Sequence, residues 1–305
     1  MSERKMTIGG KLYDKEQLRA ATVLLLPLLI AILVLFIFPV FRVVFYSFSN
    51  YNLIKRNDFR IIGLDNFTYL FTDVKFGKAL RNTFTFALSK LLLDTSIALV
   101  VALVLDTRIP LRHYLRSAYF APVVVPIVAS SLIWIWFFDP GIGPFNQIRA
   151  FLGLKPSQWI YGEKTALFSI VLFSIWKGVG YNIVLFLSGL QNIPDSYIEA
   201  AQVDGATNMQ ILWKIKLPLL RPITNFVIMM GIINTFKVFA EVNVMTPKGG
   251  PLYSTSLIVN YIYEQAFTNG KMGRACAASI LLFAIIYLLT LIQNRMNASK
   301  TIDVE

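Results

Sequence analysis

Three runs in this chain, residues 20–41, 117–138 and 275–294, carry no formal charge. A helix of about 20 apolar residues crosses the roughly 30 Å hydrocarbon layer of a bilayer. Three further runs are long enough but contain charges: 82–105 with Lys90 and Asp94, 165–189 with Lys177, and 222–245 with Lys237 and Glu241. Within a bilayer only helices and closed barrels satisfy every backbone polar group, and runs of this length and continuity belong to helices. The pattern predicts an all-α polytopic membrane protein with six transmembrane helices, at about 20–46, 82–105, 117–138, 165–189, 222–245 and 275–294. Residues 1–19 and 296–305 flank this membrane domain of 20–295. The first run is too long for a signal-peptide core, and Pro39 and Arg42 follow it in place of a small-residue cleavage site, so it is read as a retained span.

Composition agrees. Apolar residues make 56% of the 305, and charged residues only 15%, against about a quarter in soluble domains. A net charge of +12 would suggest nucleic acid in a soluble protein; here it fits lysine and arginine in loops beside anionic lipid. Cys276 is the single cysteine and His113 the single histidine, so neither an intrachain disulfide nor a metal site is expected. Basic residues fall almost equally on the two sides of a six-span topology, and the positive-inside rule leaves orientation open. Five basic residues among the first twenty lean toward cytoplasmic termini.

The charges inside the runs gather in spans two, four and five. An ionisable group at mid-membrane is costly unless it faces protein or water. Lys90 and Asp94 are four residues apart, as are Lys237 and Glu241, so each pair falls on one helix face. These groups either line an aqueous path or substrate cavity, or close structural ion pairs. Asn234 lies on the face of Lys237, near Phe236 and Phe239, where a hydroxylated ligand would fit.

Between spans four and five lies "GLQNIPDSYIEAAQVDGA", followed by "TNMQILWKIKLP", too polar to cross a bilayer. Pro194 is suited to start a helix and Asp195 to its first turn. Gly205 is suited to end it in a left-handed cap. A second short helix fits residues 207–217, broken by Pro218, with Pro222 opening span five. Ala200, Ala201 and Gly205 leave one side nearly bare, open to close approach by another backbone, with Glu199 beside it. Passive contact with lipid is the competing reading.

Glu199-Ala200-Ala201, then Gly205, Ile215 and Leu217-Pro218, with Asp204 beside the glycine, resembles the EAA motif of binding-protein-dependent ABC import permeases, in identity and spacing. "GLDNFTYLFTDVKFGKALRNT", "RSAYFAPVVVP" and "FKVFAEVNVMTPKGGP" resemble segments of the family's carbohydrate branch, and the resemblance covers residues 20 to 295. It implies that 194–218 is a cytoplasmic coupling helix seated on a separate ATPase, with Glu199 paired to a basic residue there, and that both termini are cytoplasmic in a prokaryotic cell membrane. It implies four partner polypeptides besides membrane lipid: a second, similar permease, two ATP-binding cassette ATPases, and an extracytoplasmic sugar-binding protein. The chain itself is then no enzyme. It lacks G-x-x-x-x-G-K-[ST], and ATP and magnesium belong to the ATPases, with no cofactor here. Against the larger permease of the maltose importer, Gly178, Tyr181 and Asn234 match sugar-contact positions. Lys177 and Lys237 occupy two more as charged departures, and that permease's extra loop domain is missing. The lysines raise an acidic sugar or sugar phosphate as substrate. The competing function is a self-contained secondary transporter or channel, with Lys237, Glu241 and Asp94 as an ion relay.

Overall fold

The computed structural model describes residues 5–8, 11–54, 59–107 and 112–298. The predicted tail 296–305 lies outside this range from residue 299 on, and the side chain of His113 lies outside the described residues.

The chain is helical almost throughout. One departure from the all-α expectation is a short antiparallel hairpin, Lys5–Ile8 with Lys11–Asp14, leading into the first span. Among the described residues five helices are long and apolar enough to cross a membrane, and a bent pair makes a sixth. Spans one, four and six, at Arg19–Ser47, Ala166–Gln191 and Met272–Met296, coincide closely with the predicted runs.

Span two is longer than expected, Val74–Leu105. Its N-terminus lies in the stretch between the first two predicted spans, where the Asp73 carboxylate accepts the Lys75 backbone N–H at 2.9 Å as an N-cap. A further short helix, Asp65–Thr72, occupies the same loop. Tyr261 anchors this loop from the far side by donating its hydroxyl to Asp73 at 2.7 Å, and burial together with that carboxylate holds the Tyr261 phenol well above its usual pKa.

Span three corrects the expectation of one straight crossing. Its halves, Tyr114–Val124 and Ile127–Phe137, meet at 100°. The cause is Pro126, which has no N–H to return to the carbonyl of Pro122 and pushes Val125 out of the helical region. Pro126 itself is extended, at φ −55° and ψ 136°, and starts the second half as its N-cap. Span five, Arg221–Met245, is also interrupted. Its first helix ends at Phe236, Lys237 is the C-cap, and Ala240–Met245 begins anew. The expected single face carrying Lys237 and Glu241 therefore does not exist.

Spans two and four form the spine of the bundle. Fully buried Ala98 and Ala102 let span two approach Phe186 and Ile183 of span four. Small residues serve this purpose in membranes, where close packing must replace the hydrophobic drive of water. Spans three and four are closer still: a Cβ on Gly180 would collide with the Tyr119 carbonyl oxygen. Span one is the opposite case. None of its apolar window is buried within the chain, and only its last turns, Phe38–Ser47, rest on span six.

Candidate functional site

Two polar regions stand out from the apolar bundle. The first is a cavity of about 270 Å³ between spans two, four and five. Its polar lining is Lys90 and Asp94 from span two, Ser174, Lys177, Tyr181 and Asn182 from span four, and Asn234, Thr235 and Glu241 from span five. Four of the five predicted substrate residues, Lys177, Gly178, Tyr181 and Asn234, line this one space. Lys237 does not: it sits at the break of span five and projects from the chain's surface outside the cavity.

Partners account for most of the cavity's charge. Lys90 Nζ lies 3.0 Å from Asp94 Oδ2, and the Asn182 amide donates to the same oxygen at 3.2 Å. The pair runs directly over Gly178, where a Cβ would stand 3.2 Å from the ammonium; the missing side chain gives the lysine its room. Ser174 donates to Glu241 at 3.4 Å.

Lys177 has a different task. Its ammonium donates to the carbonyls of Pro122 at 2.7 Å and Val123 at 3.1 Å. Pro126 cannot bond the Pro122 carbonyl, and the bend carries the next donor away from Val123, so two acceptors are orphaned in the membrane interior. Leaving them unmet costs several kcal/mol in a medium without water. One lysine from span four satisfies both. Sequence reasoning missed this role, and missed Asn182 and Ser174. For Lys177 the signal was present: Pro122 and Pro126 are four apart, the spacing that orphans a carbonyl.

The second region is the predicted coupling segment. The helix Asp195–Val203 starts at Pro194 and has no buried residue. Glu199, Ala200, Asp204 and Gly205 are exposed, Ala201 is half-buried, and Val203 is 89% exposed. Gly205 takes φ +79°. The Gly205 N–H donates to the Gln202 carbonyl at 3.0 Å and the Ala206 N–H to that of Ala201 at 2.9 Å, the bond pair of a Schellman cap. Thr207 and Gln210 then form a capping box that starts the next helix.

That second helix does not end at Pro218 as expected. It passes through a π turn, Leu212–Lys216, and continues over Leu217–Leu219. The Leu217 N–H reaches back five residues to Leu212, and the widened turn relieves the proline ring from the preceding backbone. Ile215, Leu217 and Pro218 are half-buried along it. Lys216, between them, pairs with Asp106 at the end of span two at 2.6 Å. That tie was not anticipated, because its partner is 110 residues away.

The family described as binding-protein-dependent transport system inner membrane component matches residues 94–301. The arabinooligosaccharides transport system permease protein AraP of Bacillus subtilis (strain 168) is 31% identical over 275 residues, 90% of this chain and 87% of that protein. The sn-glycerol-3-phosphate transport system permease protein UgpA of Escherichia coli (strain UTI89 / UPEC) is 29% identical over 280 residues, 91% and 93% of the two chains. A chain of the bacterial alginate ABC transporter, solved with an alginate pentasaccharide-bound periplasmic protein, superposes with a TM-score of 0.81 at 23% identity, over 92% of this chain and 94% of that one, and shares the fold. These matches do not favour a self-contained ion-relay transporter, whose lysine at 237 also lies outside the cavity of Asp94 and Glu241. The cavity-lined helical bundle, its exposed helix–glycine–helix insert and the matches converge: this chain is a multi-pass transport permease, a member of the binding-protein-dependent transport system inner membrane component family.

Proposed function

We propose that this chain is one of two permease halves of an ATP-driven importer that moves a sugar or oligosaccharide into a prokaryotic cell. The substrates for which its relatives are named, arabinooligosaccharides and sn-glycerol-3-phosphate, are hydroxyl-rich molecules. A second, similar permease completes the path, and an extracytoplasmic sugar-binding protein delivers the substrate. Two ATPase subunits bind inside and carry the ATP and magnesium. Both termini lie in the cytoplasm, residues 20–295 form the permease domain, and 194–218 is its coupling segment. Lys177, Gly178, Tyr181 and Asn234 border the substrate's route, whereas Lys237 lies outside the cavity they line.

The observation that carries this reading is the segment 194–218. It projects a polar helix with no buried residue, while its second helix runs into span five through Leu220 and is tied to span two through Lys216. A push on such a handle moves the walls of the cavity. In the importer, ATP binding and hydrolysis shift the balance between inward- and outward-open states through this contact.

The test is Glu199→Ala in the assembled importer. Removing one partner of a buried interfacial ion pair costs about 2–5 kcal/mol. Transport and binding-protein-stimulated ATP hydrolysis are expected to fall at least tenfold, with the melting temperature of the isolated permease unchanged. Normal transport by this variant sinks the coupling role of Glu199.

A further inference from the structure

Among the described residues, one buried side-chain polar atom of the cavity's lining residues has no hydrogen bond. Asp94 is 6% exposed, and while its Oδ2 receives Lys90 and Asn182, its Oδ1 is buried without a hydrogen bond. An unmet carboxylate oxygen in a membrane interior is a high-energy feature, and a buried unsatisfied group in a native structure requires an explanation. The residue that carries this atom lines a space of about 270 Å³, large enough for part of a sugar.

The cavity's cations, by contrast, are committed. Lys90 is held by Asp94. Lys177 is held by two backbone carbonyls that have no other donor. An entering anion would have to draw an ammonium from one of these, and it would approach Asp94 and Glu241, both carboxylates of the same wall. A hydroxyl group meets neither obstacle, since it donates one hydrogen bond to Oδ1 and brings no charge.

We propose that this cavity is built for an uncharged, hydroxyl-rich sugar unit, recognised by a hydroxyl donated to Asp94 Oδ1, and that it discriminates against acidic sugars and sugar phosphates. This deepens the sugar-import reading and rests on it. It reverses the acidic-sugar expectation drawn from Lys177 and Lys237, because Lys237 lies outside the cavity and a lysine selects an anion only when its ammonium is free. It also sets this chain apart from a relative such as UgpA, whose substrate carries a phosphate.

The isosteric change Asp94→Asn sharpens the test. Lys90 and Asn182 are both donors, so they orient the new amide with its oxygen toward themselves. The position of Oδ1 is then taken by an N–H₂ donor, and the Lys90 charge loses its counter-ion. A sugar hydroxyl can turn to accept from this amide, but the charge-assisted bond to a carboxylate is gone, so the variant loses affinity for neutral sugars and gains it for anions, whereas general damage to the fold loses both.

The experiment is binding and uptake by the full chain, reconstituted with the partners that copurify with it. The probes are matched pairs differing by a carboxylate: galactobiose with digalacturonate, mannobiose with dimannuronate, xylobiose with its aldobiouronic counterpart, and arabinobiose as a further neutral sugar. Binding by the native chain is expected among neutral members only. Asp94→Asn is expected to weaken that binding about ten- to hundredfold, the worth of a hydrogen bond to a charged group, and to narrow or invert the preference over the acidic partner. Tighter binding of an acidic member by the native chain overturns the proposal and leaves sugar import standing, a comparison that holds even where the variant does not fold. Unchanged neutral binding by a folded Asp94→Asn also overturns it. Failure of every probe, neutral and acidic, with an assembled complex sinks sugar import itself.

Discussion

The two polar regions of this molecule interrupt the same apolar bundle in opposite ways. The segment 194–218 is exposed, and its geometry comes from near neighbours: Gly205 bonds Gln202, Ala206 bonds Ala201, and Thr207 pairs with Gln210. The cavity lies between three spans, and most of its geometry comes from far away. Lys177 reaches carbonyls 54 and 55 residues back, and Asn182 reaches Asp94 across 88. A docking surface can be written locally because its partner lies outside the chain. A membrane-embedded charge needs partners from other helices, because nothing else is there to neutralise it.

The sharpest way to break this comparison is to unpair one charge of each kind. In the cavity, Lys90→Ala leaves the Asp94 carboxylate buried without its cation, and removing one member of a buried pair costs about 3–5 kcal/mol. The melting temperature in detergent is expected to drop steeply. Replacing both partners, Lys90→Met with Asp94→Leu, is expected to recover most of that stability while abolishing substrate binding. A single variant as stable as the native chain contradicts the ion pair as described.

The corresponding break in the coupling segment is Lys216→Ala. Its pair with Asp106 is partly solvated, and exposed pairs contribute about 0.2–1 kcal/mol. Stability is expected to change little. What the pair offers is a tie between the second helix of the segment and the end of span two, so its loss loosens the handle from the wall it moves. ATP hydrolysis stimulated by the binding protein is expected to persist while transport falls two- to fivefold, a ratio measured in proteoliposomes. Equal losses of hydrolysis and transport argue that the pair only supports folding.

The same contrast explains what was legible beforehand. Six apolar runs announced six spans, because length and absence of charge are local properties. The glycine cap and the helix–glycine–helix form of the insert were readable for the same reason. The bend of span three was not, although its cause, Pro126, was in view: a charge-free run of 22 residues at 117–138 satisfies every length criterion for a straight crossing, and only the tertiary contact with Lys177 makes the bent form affordable. Lys237 and Glu241 misled in a related way. A spacing of four implies one face only if the helix is unbroken, and the break after Phe236 separates them. In the cavity the residue types were visible, but not which lysine was already engaged.

The smallest expected effect separates strain from docking within the segment itself. Gly205 sits at φ +79°, and a Cβ there would meet nothing within 4 Å in this chain. Gly205→Ala therefore costs only the left-handed conformation, about 1 kcal/mol, confined to an exposed turn, and the melting temperature of the spans is expected not to move. Asparagine tolerates the left-handed region better than alanine, so Gly205→Asn relieves the strain while adding a larger side chain at the surface. If the glycine serves only the bend, Gly205→Asn transports better than Gly205→Ala. If the ATPase packs against the bare backbone, the order reverses, because the bulkier side chain obstructs the proposed contact at the surface around Glu199 and Ala200. The coupling reading predicts the second order, with both variants milder than Glu199→Ala, and transport rates of the three side by side decide it.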